Sequence, residues 1–313
     1  IGLQIINRVC FLLDNLLYYD YKGIAVRSPI FIIGFPRSGT THLHRLITKD
    51  DRFTSLRLWE MMFAPSIIQK KLCLWLGGMD RKIGQPLYRV LCKLENKLFA
   101  EARRMHHISL FDPEEDEIVL IHVFASAFQI FLFPFTDMLA FAHFDEAISK
   151  RKRRKIMAFY KGCIRRHLYV FGRDRQYVSK NPAFSCKVNS LFSTFPDANM
   201  ICLVRTPLEA VPSAVSWMTH NLNTFHKTDK KYESEFFNDG IGHWYTYPLA
   251  QFEKYPESAW VIKTYNNLVT NPGRLIEEAF SKFGLDMSEA LRVVLDQANE
   301  KAQSYKSAHQ YAL

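Results

Sequence analysis

The sequence predicts an α/β protein, a three-layer sandwich in which helices flank a central parallel sheet. Three observations carry this. Short β-branched and apolar runs without polar alternation recur along the chain, as strands buried on both faces require. Helical segments with start signals separate them. There is no internal repeat, low-complexity tract or Gly/Ser-rich linker, so residues 1–313 are read as a single domain.

Hydrophobic content of 48% with 23% charged residues is ordinary for a globular chain, whereas 14% aromatic is rich. A net charge of +10 and a pI near 9.2 call for an anionic partner, which charge alone leaves open among a phosphorylated cofactor, an acidic substrate, nucleic acid and anionic lipid. The six cysteines are scattered without a C-x-x-C, so they are expected to be mostly buried free thiols with no metal site. The absence of an N-x-S/T sequon disfavours a glycosylated lumenal protein and favours the cytoplasm. The chain begins at Ile1 without a Met, which leaves open a removed N-terminal segment or anchor.

Within residues 1–28, Ile5, Val9, Leu12, Leu13, Leu16 and Leu17 recur at helical spacing between polar residues. This predicts an amphipathic helix packed on the domain, with peripheral membrane contact as the alternative. Residues 30–33 read as a buried strand closed by Gly34, and the next residues turn tightly into a helix over 41–49. Such a loop aims backbone N–H groups inward at the start of a helix, which makes an anion cradle of Pro36, Arg37, Ser38, Gly39, Thr40 and Thr41. The spacing Gly34-x-x-x-x-Gly39 is P-loop-like up to the second glycine, but Thr40 stands where a nucleotidase places its Lys. Arg37 instead offers a permanent planar cation to an anionic leaving group.

Glu60, between Trp59 and Met61, is a carboxylate in an apolar stretch. An apolar surround would raise its pKa and suit it as a base; an exposed helix position is the competing reading. His106 and His107 form a second candidate, of which at most one faces a site, because adjacent side chains diverge in any regular element. Asp112-Pro-Glu-Glu115 reads as a helix start with an acidic first turn. The uncharged run 118–136, followed by the basic run 150–155, raises a transmembrane reading. His122, Ser126, Gln129 and Phe133-Pro-Phe135 argue against it. The region 100–170 is therefore read as helical, with the uncharged run a buried helix lining an apolar pocket and the basic run the solvated start of a helix to about Val170. A nucleic-acid or lipid patch is the minor alternative for that basic run.

In the second half, strands are predicted at 176–179, 199–204 and 259–262. Thr206, Pro207 and Glu209 make a capping-box helix start, with Ser213 two turns along on the side Arg205 can reach. A further helix is expected from Asn271-Pro272 to Phe283. Ligands of a parallel sheet bind at the carboxyl ends of its strands, where Arg37, Lys180, Arg205 and Lys263 fall.

These residues resemble the sulfotransferase family that uses 3'-phosphoadenosine 5'-phosphosulfate (PAPS), in particular the tyrosylprotein sulfotransferases and the bacterial group related to them. Phe35-Pro-Arg-Ser-Gly-Thr-Thr41 resembles the 5'-phosphosulfate loop. Val204-Arg-Thr-Pro-Leu-Glu-Ala-Val-Pro-Ser213 resembles the 3'-phosphate motif, with Arg205 and Ser213 in the gripping positions. Val178-Ser-Lys-Asn-Pro182 resembles the segment whose Lys stabilises the transferring group, here Lys180. Tyr265-Asn-Asn-Leu-Val-Thr-Asn-Pro272 resembles Tyr-x-x-Leu-x-x-x-Pro, and Lys306-Ser-Ala-His-Gln-Tyr311 resembles the basic segment that closes over the nucleotide, implicating Tyr265 and Lys306. Arg37 replaces the Lys of the cytosolic enzymes, and Thr206 replaces an Asp that often follows the 3'-phosphate Arg. The chain stops at Leu313 inside the last motif, so the lid is expected to be incomplete.

The resemblance implies in-line transfer of a sulfuryl group from PAPS to an acceptor hydroxyl, with no metal and no nucleic acid. Its demands are positioning and charge stabilisation, met by Arg37 and Lys180. Glu60 is the expected base, because it follows the loop at a distance similar to that of the tyrosylprotein enzymes' Glu; His106 or His107 is the second choice. The aromatic run 118–135 implies an apolar small-molecule or lipid acceptor, with a glycan or basic peptide-like acceptor as the alternative. The rival classes are a P-loop small-molecule kinase, disfavoured by the missing Lys, and a non-catalytic nucleotide or glycan binder. Oligomeric state is not legible.

Overall fold

The structure, a computed structural model, describes residues 2–100, 103, 108–131, 133, 136–225 and 230–304, with side chains outside 220–225, 230–239 and 303–304. Five strands, β1 (Ile30–Gly34), β2 (Phe53–Thr54), β3 (Gln176–Lys180), β4 (Asn199–Val204) and β5 (Trp260–Thr264), form an all-parallel sheet in the order β2-β3-β1-β4-β5. The α/β sandwich expected from the apolar runs is the fold observed.

β1 is central and buried along its whole length. Its residues alternate between two cores, as a strand covered on both faces must. Phe31 and Ile33 join the layer containing Tyr160, Phe184 and Phe195, while Ile30 and Ile32 join the one containing Leu43, Ile276 and Phe280. Connections from β1 run outward through β3 and β2, and those from β4 run the other way to β5. The strand order therefore reverses between β1 and β4, and their carboxyl ends diverge into a crevice.

Two expectations fail in form. The run 118–136 is not an α-helix; it folds as the 3-10 turns Asp116–Val123, Ala127–Phe131 and Thr136–His143. With Asp116 and Glu117 just before it tied to other elements, the segment follows their anchors in short turns rather than a continuous i→i−4 ladder. Asp112-Pro-Glu-Glu115 likewise opens a 3-10 turn rather than a capped α-helix.

The N-terminal helix, Gly2–Leu17, forms as expected but is turned inside out. Ile5, Val9, Leu12, Leu13, Leu16 and Leu17 are exposed, and Asn7 and Asp14 are the buried residues. Asp14 accepts hydrogen bonds from the N–H groups of Ile67 (2.9 Å) and Ile68 (3.1 Å) and from Arg166 Nε (2.9 Å), so it caps the next long helix, Ile67–Lys82. The basic run does begin a helix, Lys150–Phe171. All six cysteines are free; Cys163, Cys186 and Cys202 are buried, and Cys73 is exposed.

Gly34 ends β1 with φ of +135°, and a Cβ there would lie 2.1 Å from the carbonyl oxygen of Leu203 on β4. Gly34→Ala is expected to cost more than about 2 kcal/mol, from backbone strain and the wedge between central strands. Urea unfolding of the two proteins measures it.

Candidate active site

β1 delivers the chain into the loop, where Ser38 N–H donates to the Phe35 carbonyl (3.3 Å) and Arg37 and Gly39 take positive φ, 69° and 88°. Gly39 is also the N-cap of the Thr40–Ile47 helix. Side chains fix the loop from behind, since the Phe35 ring stacks on Tyr245 at 4.5 Å. The Ser38 hydroxyl is fully buried and has no hydrogen-bond partner, a polar group left for a ligand or water.

The loop meets the end of β4 through two arginines. Arg37 Nε donates to Ser213 Oγ (3.0 Å), and Arg205 Nη1 donates to the Arg37 carbonyl (3.1 Å). Arg205 also pairs with Glu209 (3.0 Å) and lies over the Tyr265 ring at 4.1 Å, while Tyr245 donates to its carbonyl (3.2 Å). Glu209 thus serves Arg205. Arg37, Arg205, Ser213, Tyr265 and the loop, separated by up to 230 residues in sequence, are brought together at the crevice between β1 and β4.

Arg37, Arg205, Tyr265 and the loop line a cavity of about 700 Å³, and Ser213 stands outside its lining, behind Arg37. Pro36, Arg37, Gly39, Thr40 and Thr41 line one part, with Arg45, Lys49, Arg205 and Lys301 adding positive charge. Phe128, Phe131, Trp217 and Trp244 line another part and make it aromatic. The uncharged run therefore does wall an apolar space, although as turns. Glu115 is the one carboxylate in the lining among the described residues.

Lys180, at the end of β3, lies just behind this wall. Its ammonium donates to Glu115 (3.1 Å) and lies 3.5 Å from Glu114. Burial pushes its pKa down, but Glu115 and Glu114 outweigh burial and raise it, so the lysine is held charged. Beneath it His44 is fully buried, 2.9 Å from Ser55 Oγ. Burial, with help from the Lys180 charge, drives its pKa down to about 3 and keeps it neutral.

Glu60 is elsewhere. It is fully buried and absent from the cavity lining, with Oε2 accepting from His167 Nδ1 (2.7 Å), Oε1 accepting from the Arg57 N–H (3.1 Å) and Lys70 Nζ at 3.8 Å. Burial raises its pKa, but His167, Lys70 and the Arg57 N–H outweigh it and hold the carboxyl below its ordinary value. The apolar environment expected for a base is thus a polar cage. Lys263 is likewise outside the cavity, paired with Glu278. His106, His107 and Lys306 lie outside the described residues. Glu115 was hidden in the sequence by its position in an acidic helix start; the clue was surplus charge, since Glu114 to Glu117 supply more carboxylates than one cap uses. Away from the cavity, the metal-ligand-type atoms of His143, Glu146 and His243 lie within 4.8 Å of one another.

A model described as "Sulfotransferase family" matches residues 29–289. The chain is 26% identical over 228 residues to omega-hydroxy-beta-dihydromenaquinone-9 sulfotransferase Stf3 of Mycobacterium bovis and of Mycobacterium tuberculosis, covering 69% of this chain and 53% of each relative. It thus spans about half the length of the curated relatives it matches. In fold it is similar to sulfotransferase STF9 from Mycobacterium avium, with a TM-score of 0.70, 19% identity and coverage of 92% of this chain and 71% of that one. It is also similar to STF1 from Mycobacterium tuberculosis H37Rv, with a TM-score of 0.67, 20% identity and coverage of 94% and 77%.

The buried groups around the site set a pH dependence. Unfolded His44 takes a proton below about 6.5, whereas the folded residue does so only near 3, so its contribution is complete above the unfolded pKa and declines as pH falls between the two. Between pH 7 and pH 5 the wild type is expected to lose about 2 kcal/mol more than His44→Gln in urea melts. Glu60→Gln is expected to cost about 3 kcal/mol by leaving buried Lys70 without its countercharge, read by the same melts.

Proposed function

The chain belongs to the sulfotransferase family, and we propose that it transfers a sulfuryl group from PAPS to a hydroxyl of an apolar, lipid-like acceptor. The observation that carries this reading is one cavity with two chemistries. The anion loop and Arg205, with Ser213 behind Arg37, supply a cationic lining, the cluster of Phe128, Phe131 and Trp217 an aromatic one, and Glu115 is the one carboxylate in the lining among the described residues.

The residues present fit the donor. Ser38 keeps a buried hydroxyl unspent, and a Cβ at Gly39 would come within 2.8 Å of the Leu268 side chain, so only glycine keeps the loop this close to the wall. When bound, PAPS supplies a sulfuryl group already activated by its phosphate. The loop amides, Thr40 and Thr41 would hold the 5'-phosphate, and Arg205 with Ser213 the 3'-phosphate. Tyr265 backs Arg205 through its ring, and Lys306 belongs to the segment proposed to close over the nucleotide. Arg37 neutralises charge that builds on the bridging and sulfuryl oxygens, and Lys180, buried behind Glu115 and held charged there, adds its field from across that wall, the step at which positioned electrostatics contribute most. No metal is called for by this scheme.

Glu115 takes the proton from the acceptor hydroxyl in place of Glu60, because it lines the cavity whereas Glu60 is enclosed. Its hydrogen bond from Lys180 couples the base to the cation that serves the leaving side. The aromatic wall favours an apolar acceptor over a glycan, and the curated relatives named for a menaquinone substrate point the same way. An acceptor of that kind resides in a membrane, so peripheral membrane contact goes with the reading.

Calorimetry with 3',5'-bisphosphoadenosine against ATP with Mg²⁺ separates the family chemistry from a kinase: tight binding of the bisphosphate is expected, and preference for ATP would exclude the proposal. Turnover of PAPS with a long-chain polyprenyl alcohol distinguishes an enzyme from a nucleotide or glycan binder. Lys180→Met and Glu115→Gln should each lower turnover by roughly a hundredfold or more. Glu115→Gln should leave bisphosphate affinity within about threefold, since only proton transfer is removed. If Glu115→Gln keeps full turnover while Glu60→Gln, His106→Ala or His107→Ala loses it with nucleotide affinity intact, the base is that other residue.

A further inference from the structure

The inside-out N-terminal helix is one part of a larger surface. It packs on the Ile67–Lys82 helix, which packs on the Pro86–Leu98 helix. On the second helix Leu72, Trp75, Leu76 and Met79 share one face and are exposed, continued by Ile83 just past its end. On the third, Leu87, Val90, Leu94 and Leu98 do the same. Individual exposures are high, 76% at Leu16 and 61% at Trp75, where an ordinary surface helix would turn such residues inward.

The charges on these three helices are sorted by sign. Arg8, Lys71, Arg81, Lys82, Arg89, Lys93 and Lys97 are exposed. The acidic residues Asp14, Asp80 and Glu95 are all buried. Asp14 is spent on Arg166 and the Ile67 and Ile68 amides, Asp80 accepts from the Leu87 (2.8 Å) and Tyr88 (2.9 Å) amides, and Glu95 pairs with Arg103. What faces outward is aliphatic and aromatic surface with positive charge alone.

We propose that this three-helix face docks on an anionic lipid bilayer. Apolar side chains with interspersed Lys and Arg, and an exposed Trp, are the composition by which interfacial helices bind anionic headgroups. A second copy of the chain is the other way to cover such a face, but a two-fold contact sets each patch against its own equivalent and so places cation against cation. No helix among the described residues is long and apolar enough to cross a membrane, so the contact is with the surface. The face does not depend on the identity of the acceptor: none of its exposed residues lines the cavity.

The test is cosedimentation of the full chain with vesicles of phosphatidylcholine alone and of equal parts phosphatidylcholine and phosphatidylglycerol. Binding to the anionic vesicles is expected to be at least about tenfold tighter, and to weaken severalfold from 0.05 to 0.5 M salt. Leu12→Glu with Leu16→Glu, and separately Trp75→Glu, should each weaken it about tenfold or more while leaving sulfation of a water-soluble acceptor unchanged, which also shows that the variants fold. Trp75 emission should shift to the blue with anionic vesicles, and that component should vanish in Trp75→Phe. Equal or absent binding to the two vesicle types overturns the proposal. So does a wild-type dimer in sedimentation velocity that Leu12→Glu with Leu16→Glu converts to monomer, which would assign the face to a second copy.

Discussion

Four consecutive carboxylates, Glu114 to Glu117, hold the site side of this protein together. Glu114 and Glu115 take the Lys180 ammonium, and Glu117 pairs with Lys187. Asp116 accepts from Tyr160, Tyr177, Ser179 and Asn181, and burial pushes its pKa up against those donors. The end of β3 and the turn after it thus carry cations and donors, and the strap crossing them carries the matching acceptors. A fully buried pair such as Glu117 with Lys187 adds little net stability over apolar packing, but unpairing either member costs about 3 to 5 kcal/mol. The strap is therefore fixed in register, and Glu115 is delivered to the cavity by the residues on either side of it.

The sheet supplies the second half of the geometry. Reversal of strand order between β1 and β4 opens the crevice, and the Arg37 to Ser213 and Arg205 to Arg37 hydrogen bonds close its floor. Positive charge from three parts of the chain converges there beside a wall of Phe and Trp. Low dielectric on one side strengthens the field on the other, so an anion held at the loop would meet a stronger positive field than it would in open water.

The sheet, the loop and the arginines were legible because they depend on local signals: β-branched runs, glycine spacing, and cations placed at strand ends. Glu60 reads from the sequence as a carboxylate in an apolar surround and Glu115 as part of a helix start, and neither reading reaches their positions, enclosed and cavity-lining respectively, because burial and partners are tertiary facts. An apolar sequence around Glu60 says nothing of His167, 107 residues away, and an acidic cap signal at Glu115 says nothing of Lys180, 65 residues away. The uncharged run was read correctly as pocket wall and incorrectly as helix, since periodicity does not distinguish a buried α-helix from successive 3-10 turns. The N-terminal helix was recognised by period, which gives the amphipathic stripe but not which side meets the protein.

That reversal has a thermodynamic consequence. The apolar stripe exists as an organised face only in the folded chain, with Asn7 held by Gln69 (2.7 Å) and close to His122 (3.1 Å) on the opposite side. An amphiphile that binds this organised face more tightly than it binds the unfolded chain draws the equilibrium toward the native state. By mass action, lipid or detergent then becomes a stabilising ligand, raising the free energy of unfolding with the logarithm of its concentration. Where lipid or detergent covers the face in this way, the melting temperature belongs to the chain and the amphiphile together rather than to the chain alone.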